Sequence, residues 1–124
     1  MKQEVKEIEI NGITYVPKGS EAQKAAVNTE GLEFCIIRGD RSGIFAGYLE
    51  EQKSREVTLK NCRRIWYWDG AASVSQLAID GVSKPENCKF PAAVKKVKIT
   101  DVIEIIPTTE KAMKSIQGVS IWKQ

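Results

Sequence analysis

Arg63, Arg64, Trp66, Tyr67 and Trp68 fall within six consecutive positions and bring two chemistries together. A guanidinium fork binds phosphate or carboxylate oxygens bidentately, and indole or phenol rings stack on flat bases for about 1–3 kcal/mol each. A small-residue run follows, Gly70-Ala71-Ala72-Ser73, in which Ser73 and Gln76 have capping-box spacing. The amides of a helix starting there offer a further seat for an anion. Lys84 and Lys89, on the loop after that helix, are placed to close over a ligand. The candidate ligand-binding residues are therefore Arg63, Arg64, Trp66, Tyr67, Trp68, Ser73, Lys84 and Lys89. A structural reading stands beside this one. Trp, Tyr and Arg also dominate protein–protein hot spots, so the same stretch can serve as core or as subunit interface.

Catalysis finds little support. The chain has no histidine, which excludes Ser-His-Asp and Cys-His nucleophiles and the commonest general base. Cys35, Cys62 and Cys88 are scattered, odd in number and without a C-x-x-C pair, so reduced thiols are expected rather than a metal site or disulfides. Gly70-Ala71-Ala72-Ser73 lacks the spacing and the Lys-Ser/Thr of a phosphate loop. The expectation is a non-enzymatic protein with no catalytic residues, no metal and no cofactor.

Charge narrows the partner class. The net charge is +3, but residues 53–98 hold ten basic and four acidic side chains. Such a modest basic middle suits a small anionic ligand better than duplex nucleic acid, which calls for a continuous basic stripe. Lys95-Lys96-Val97-Lys98 reads as the solvated face of an edge strand. No stretch approaches the roughly 20 apolar residues of a membrane span, and the N-terminus lacks the apolar core of a signal peptide. No membrane partner and a soluble, intracellular protein are expected.

These residues must be held by elements that the sequence outlines. Ile8 to Val16 around Asn11-Gly12 predicts a β-hairpin with a type I′ turn. Residues 1–18 then form a hairpin arm, 19–31 a linker (with a short helix from Glu21 to Val27 as the alternative), and 32–124 one domain. A two-stranded ribbon is marginal alone, so the arm is expected on its own domain or on a neighbouring subunit. Leu32–Arg38, Ile44–Leu49 and the segment from Glu56 read as an antiparallel meander, with turns at 39–43 and 50–54. Gly47 suggests a bulge or close approach, and Lys60-Asn61 a bend. Beyond it, alternation puts Arg64, Trp66 and Trp68 on one face and Arg63, Ile65 and Tyr67 on the other, with Ile65 in the core. A short helix runs from Ser73 to Gly81. Residues 94–99 and 102–106 are two strand segments or one bent strand, and Thr108 caps a last helix stopped by Gly118. Residues 119–122 form a short closing strand. The fold class is α+β: strand-rich, with a mostly antiparallel curved or barrel-like sheet, two short helices and an N-terminal β-hairpin.

Across residues 33–122 the chain resembles an uncharacterised family of small phage and prophage proteins. The resemblance rests on Leu59-Lys60-Asn61-Cys62-Arg63-Arg64-Ile65-Trp66-Tyr67-Trp68-Asp69-Gly70-Ala71-Ala72-Ser73, Ser75-Gln76-Leu77-Ala78, Gly81-Val82-Ser83-Lys84-Pro85, Cys88-Lys89-Phe90 and Val102-Ile103-Glu104-Ile105-Ile106. It implies a viral source, action in the host bacterial cytoplasm, and no transferable catalytic residues. The combined expectation is a homo-oligomeric accessory protein that sequesters a nucleotide-derived anionic defence signal. The alternatives are inhibition of a host defence protein by direct contact, and a virion or tail accessory role.

Overall fold

The computed structural model describes residues 8–10, 13–15 and 24–124. Strands β1 (Ile8–Ile10) and β2 (Ile13–Tyr15) pair antiparallel as the expected hairpin, while the Asn11-Gly12 turn and the expected linker up to residue 23 lie outside the described residues. From Lys24 the chain is extended rather than helical. The Lys24 carbonyl accepts from Glu110 N at 2.6 Å, the Ala26 amide donates to Thr108 O at 3.2 Å, and the buried Ala26 carbonyl accepts from Phe34 N at 3.0 Å.

The domain is α+β. Five strands form one antiparallel, curved sheet: β3 (Phe34–Gly39), β4 (Ile44–Lys53), β5 (Glu56–Arg64), β6 (Val94–Ile99) and β7 (Val102–Pro107), in the order β6-β5-β4-β3-β7. Helices α1 (Val74–Asp80) and α2 (Glu110–Gln117) pack on each other and on one face of the sheet. Strand β3 is apolar at every inward and outward position from Phe34 to Ile37, because it is covered on both faces. Phe34 and Ile36 join a cluster with Ala46, Ile65, Leu77, Phe90 and Ile116 under the helices. Cys35 and Ile37 join Phe45, Val57, Leu59, Cys62, Ile99 and Val102, a set drawn from all five strands including both edges. Sharing one cluster in this way requires the sheet to curl around it.

Three expectations need correction, and one alternative falls away. Residues 50–54 are not a turn: β4 runs to Lys53, since an exposed strand tail can be polar on both faces, and the reversal is Ser54-Arg55 with Ser54 at φ 56°. Residues 94–99 and 102–107 are two strands, as the first of the two readings has it, and not one bent strand. β6 pairs with β5 and β7 with β3, so the Thr100-Asp101 link joins opposite edges of the curled sheet. Arg55 stitches this seam, its amide oxygen accepting from Val102 N at 3.0 Å and its Nε donating to Val102 O at 3.1 Å. The cap of α2 is Thr109, whose hydroxyl accepts from Ala112 N, while the Thr108 hydroxyl donates to Phe34 O. The closing strand reduces to a single bridge between Ile121 and Phe90.

Candidate functional site

The paired arginines part company at the end of β5. Arg63 turns inward, 6% exposed, and its guanidinium donates only to main-chain carbonyls. Nε reaches Pro91 O at 2.9 Å, Nη1 reaches Ile116 O and Val119 O at 3.0 and 2.7 Å, and Nη2 reaches Phe90 O at 2.7 Å and Ser120 O at 3.5 Å. The group also lies over the Phe90 ring, 5.5 Å from its centroid. With its donors spent on satisfying the end of α2 and the segment before β6, Arg63 has none to offer a ligand. The expectation that it supplies site charge is corrected; it is a clasp between elements.

Arg64, next in the chain, faces outward. It pairs with Phe45 across the β4–β5 ladder, and its guanidinium carbon lies 4.4 Å from that ring's centroid. Nη1 donates to Ser42 O at 2.8 Å, its one hydrogen bond among the described residues. Stacking plus a single anchor fixes the plane of the group and leaves the Nε/Nη2 edge as an open fork. The anchor is itself held. Asp101 Oδ1 accepts from the Ser42 hydroxyl at 2.6 Å, and Oδ2 accepts from the amides of Arg41 and Ser42 at 2.7 and 3.0 Å. These bonds, the Ser42 hydroxyl foremost, hold the Asp101 carboxyl below its ordinary value. The link between β6 and β7 thus fastens the β3–β4 turn, and that turn orients Arg64.

Three depressions meet at Arg64. One of about 400 Å³ is walled by Arg41, Arg64, Lys98 and Asp101 over Phe45, Val97 and Ile99. A second, about 220 Å³, is lined by Ser42, Gly43, Ile44, Arg64, Ile65, Trp66 and Trp68. A third, about 110 Å³, lies over Cys62, Pro91 and Val94. The alternation read from the sequence brings Arg64, Trp66 and Trp68 together as expected. Trp66 is 65% exposed, a free stacking platform, whereas Trp68 packs its ring on the core and donates Nε1–H to Ala71 O at 3.1 Å.

The remaining candidates lie elsewhere. Tyr67, 51% exposed, bridges to Lys89, whose ammonium sits 5.9 Å from the Tyr67 ring and 5.7 Å from the Trp122 ring; neither residue lines the cavities around Arg64. Lys84 is exposed before the 3-10 turn Pro85–Asn87 and lines none of them either. Ser73 caps α1 by accepting from Gln76 N at 3.1 Å, while Gln76 Oε1 accepts from Ala72 N at 2.7 Å. The start of this seven-residue helix therefore has its own caps, and the anion seat expected there is withdrawn. Sequence reasoning missed Phe45, which stacks on Arg64, and Asp101, which holds the turn that anchors it, because they come from separate segments and no local spacing joins them.

Nucleophiles and metal ligands are not assembled at this place. Burial pushes the thiols of Cys35 and Cys62 up to about 12, and burial also raises that of Cys88, so none is an activated thiolate. Among the described residues no group of three or more Cys, Asp or Glu is placed to hold a metal ion, and no helix is long and apolar enough to cross a membrane. What the arrangement can do is recognise: a fixed cation stands between a basic groove and an aromatic hollow. No curated protein and no solved structure matches the chain significantly. A family model does match, over residues 32–116, and the chain belongs to that family, described as a domain of unknown function (DUF6948).

Proposed function

We propose that the protein is a non-enzymatic binder of a small nucleotide-derived anion, held in the groove around Arg64. The observation that carries this is the guanidinium itself, stacked on Phe45, anchored to Ser42 O and shared by a basic and an aromatic cavity. A guanidinium with an open fork recognises phosphate, and an exposed indole beside it recognises a base. Biologically, the reading is that of a phage accessory protein acting in the bacterial host's cytoplasm as a homo-oligomer, sequestering a nucleotide signal of host defence.

A thermal-shift screen against linear and cyclic nucleotides tests it. A ligand at 100-fold its dissociation constant adds about 2.7 kcal/mol, which raises the melting temperature of a chain this size by roughly 5–10 °C. Arg64→Ala should abolish that rise without lowering the melting temperature of the free protein appreciably. A flat response over the whole panel would sink the reading.

A second reading has its own observation. Tyr67 and Ile121, at 51% and 59% exposure, with Trp122 between Lys89 and the chain end, make an apolar patch on the Phe90 side of the domain. A host defence protein docking there would be released by Tyr67→Ala and Ile121→Asp but not by Arg64→Ala. Co-purification with each variant separates the two surfaces.

A further inference from the structure

We infer that the N-terminal ribbon is seated on its own domain, with β2 added antiparallel to an open strand edge at Ala25 and Val27. The seat goes beyond the ligand reading and does not depend on what Arg64 binds.

The edge is made by main chain. Residues 24–28 run extended past the start of β3 and the start of α2, in antiparallel bridges of Ala25 with Thr109 and of Val27 with Glu33. Every bond into the domain comes from alternate residues. Lys24 O accepts from Glu110 N at 2.6 Å, Ala26 donates to Thr108 O at 3.2 Å and accepts from Phe34 N at 3.0 Å, and Asn28 N donates to Leu32 O at 3.0 Å. In an extended chain the residues between these turn their amides and carbonyls the other way. Those of Ala25 and Val27 find no partner among the described residues. An edge of this kind is a template for a further strand. Its surroundings are apolar as well. Val27 is 52% exposed, and Ile79, whose carbonyl accepts from the Thr109 hydroxyl at 2.6 Å, is 42% exposed.

The ribbon needs such a seat. Its register pairs Ile8 with Tyr15 and Ile10 with Ile13, which assigns four apolar residues to one face and leaves Glu9 and Thr14 to the other. Two strands alone are marginal in water, and an apolar face of that make-up calls for a cover. Only two residues separate Ile10 from Ile13, so the pairs Ile10–Ile13 and Ile8–Tyr15 exchange the hydrogen bonds of the ladder. The main chain of Thr14 then faces away from β1, and β2 presents a second edge.

Chain length decides for the same copy. Eight residues, 16–23, join Tyr15 to Lys24, and a fully extended link of that length reaches roughly 28 Å. The return of β2 along residues 25–27 asks only for a reversal of that link. So short a tether sets an effective concentration on the order of millimolar, which a second copy in dilute solution does not match. The β6 edge, by contrast, carries Lys95, Lys96 and Lys98, a composition that discourages strand addition.

Amide hydrogen exchange of the full chain, read residue by residue by NMR, tests the seat. The amides of Ala25 and Val27 should be protected in the native protein, although no described residue accepts from them. Thr14→Pro removes the β2 amide that faces away from β1 and spares the ribbon's own ladder. It should speed exchange at Ala25 and Val27 by about tenfold or more, as the loss of an added strand implies. Ile13→Asp, which puts a charge on the apolar face, should release the same two amides. The Ala26 amide, bonded to Thr108 O, should stay protected throughout and reports that the domain is folded. Native protection should not change with protein concentration. Fast exchange at Ala25 and Val27 in the wild type would overturn the seat. Protection that survives both variants would overturn the ribbon as its occupant, and protection that fades on dilution would overturn the assignment to the same copy.

Discussion

Arg63 and Arg64 are identical side chains in adjacent positions, and what separates them is the parity of a β-strand. Arg63 shares its face with Ile65, so it enters the core, where desolvation lowers its pKa. It stays charged there because guanidinium lies so far above neutrality, and it is tolerated because carbonyls take its donors. Arg63→Ala should therefore cost about 3–5 kcal/mol in urea denaturation, since it strips the Pro91 and Val119 carbonyls of their donor and leaves those of Phe90 and Ile116 with only their backbone partners. Arg64→Ala should cost no more than about 1 kcal/mol, the worth of an exposed cation–π contact. Equal losses would mean that the two residues do not divide as described. The signal for Arg63 was in the sequence, since alternation grouped it with the core residue Ile65, but the Arg-Arg pair suggested a shared charge role. Asp101 offers a pH test of the same site. Its folded pKa is lowered, so its contribution to stability is present above the ordinary value of 3.8 and is lost as pH falls through the lowered one. Asp101→Ala should melt below wild type at neutral pH, and the gap should close in acid. A gap that widens in acid would contradict the clip between Asp101 and the β3–β4 turn.

At the scale of elements, two glycines fix where neighbours can approach. Gly47 sits opposite the β5 bulge at Asn61, φ 52°, where pairing skips from Tyr48↔Lys60 to Ala46↔Arg63. A methyl on Gly47 would stand 3.0 Å from Cys62 Cα and 3.2 Å from Lys60 O, so Gly47→Ala should cost about 1–3 kcal/mol through overpacking. Gly81 ends α1 at φ 75°, ψ −151°, a region open essentially to glycine alone. A Cβ there would also lie 2.3 Å from Ser115 Cβ on α2. Strain and collision add, and Gly81→Ala should be the costlier of the two, by about 1–3 kcal/mol for the backbone conformation alone. If denaturation shows Gly81→Ala to be neutral, the α1–α2 contact is not as described. Both positions were legible from sequence: a glycine inside a strand and a glycine after a helical pattern. So were Ser73 as a cap and Lys60-Asn61 as a bend. The partner that makes each one costly was not, because Cys62 and Ser115 are brought up by tertiary packing. The shift of the α2 cap to Thr109 has the same origin: Thr108 is drawn off to Phe34 O, a contact 74 residues away in sequence.

The whole molecule is a curled sheet whose two edges are consecutive in sequence. Hydrophobic alternation found the strands but could not place β6 and β7 on opposite edges, because edge position leaves no mark in the periodicity of a strand. The curl has a consequence for the thiols. Cys35 and Cys62 lie in the cluster that all five strands enclose, and burial holds both near 12. At pH 8 the folded protein therefore offers almost no thiolate at either position, and a disulfide-exchange reagent must wait for the sheet to open. Labelling of Cys35 and Cys62 should follow global unfolding, with the full urea dependence of the equilibrium transition. Cys88, which accepts from Asp69 N at 3.4 Å in the loop that follows α1, should label faster and with a weaker urea dependence, since opening that loop does not require the sheet to part. Linkage gives an independent arm. A thiol with a raised folded pKa stabilises the fold fully below its unfolded value of 9.0 and loses that contribution as pH rises towards the folded value. Stability should thus decline from about pH 9 upward in wild type, and less steeply once Cys35 and Cys62 are both replaced by Ala. Rapid, urea-insensitive labelling of Cys35 would show that β3 is reached from solvent without unfolding, and the curled sheet could not then be the cooperative unit that holds Arg64 in place.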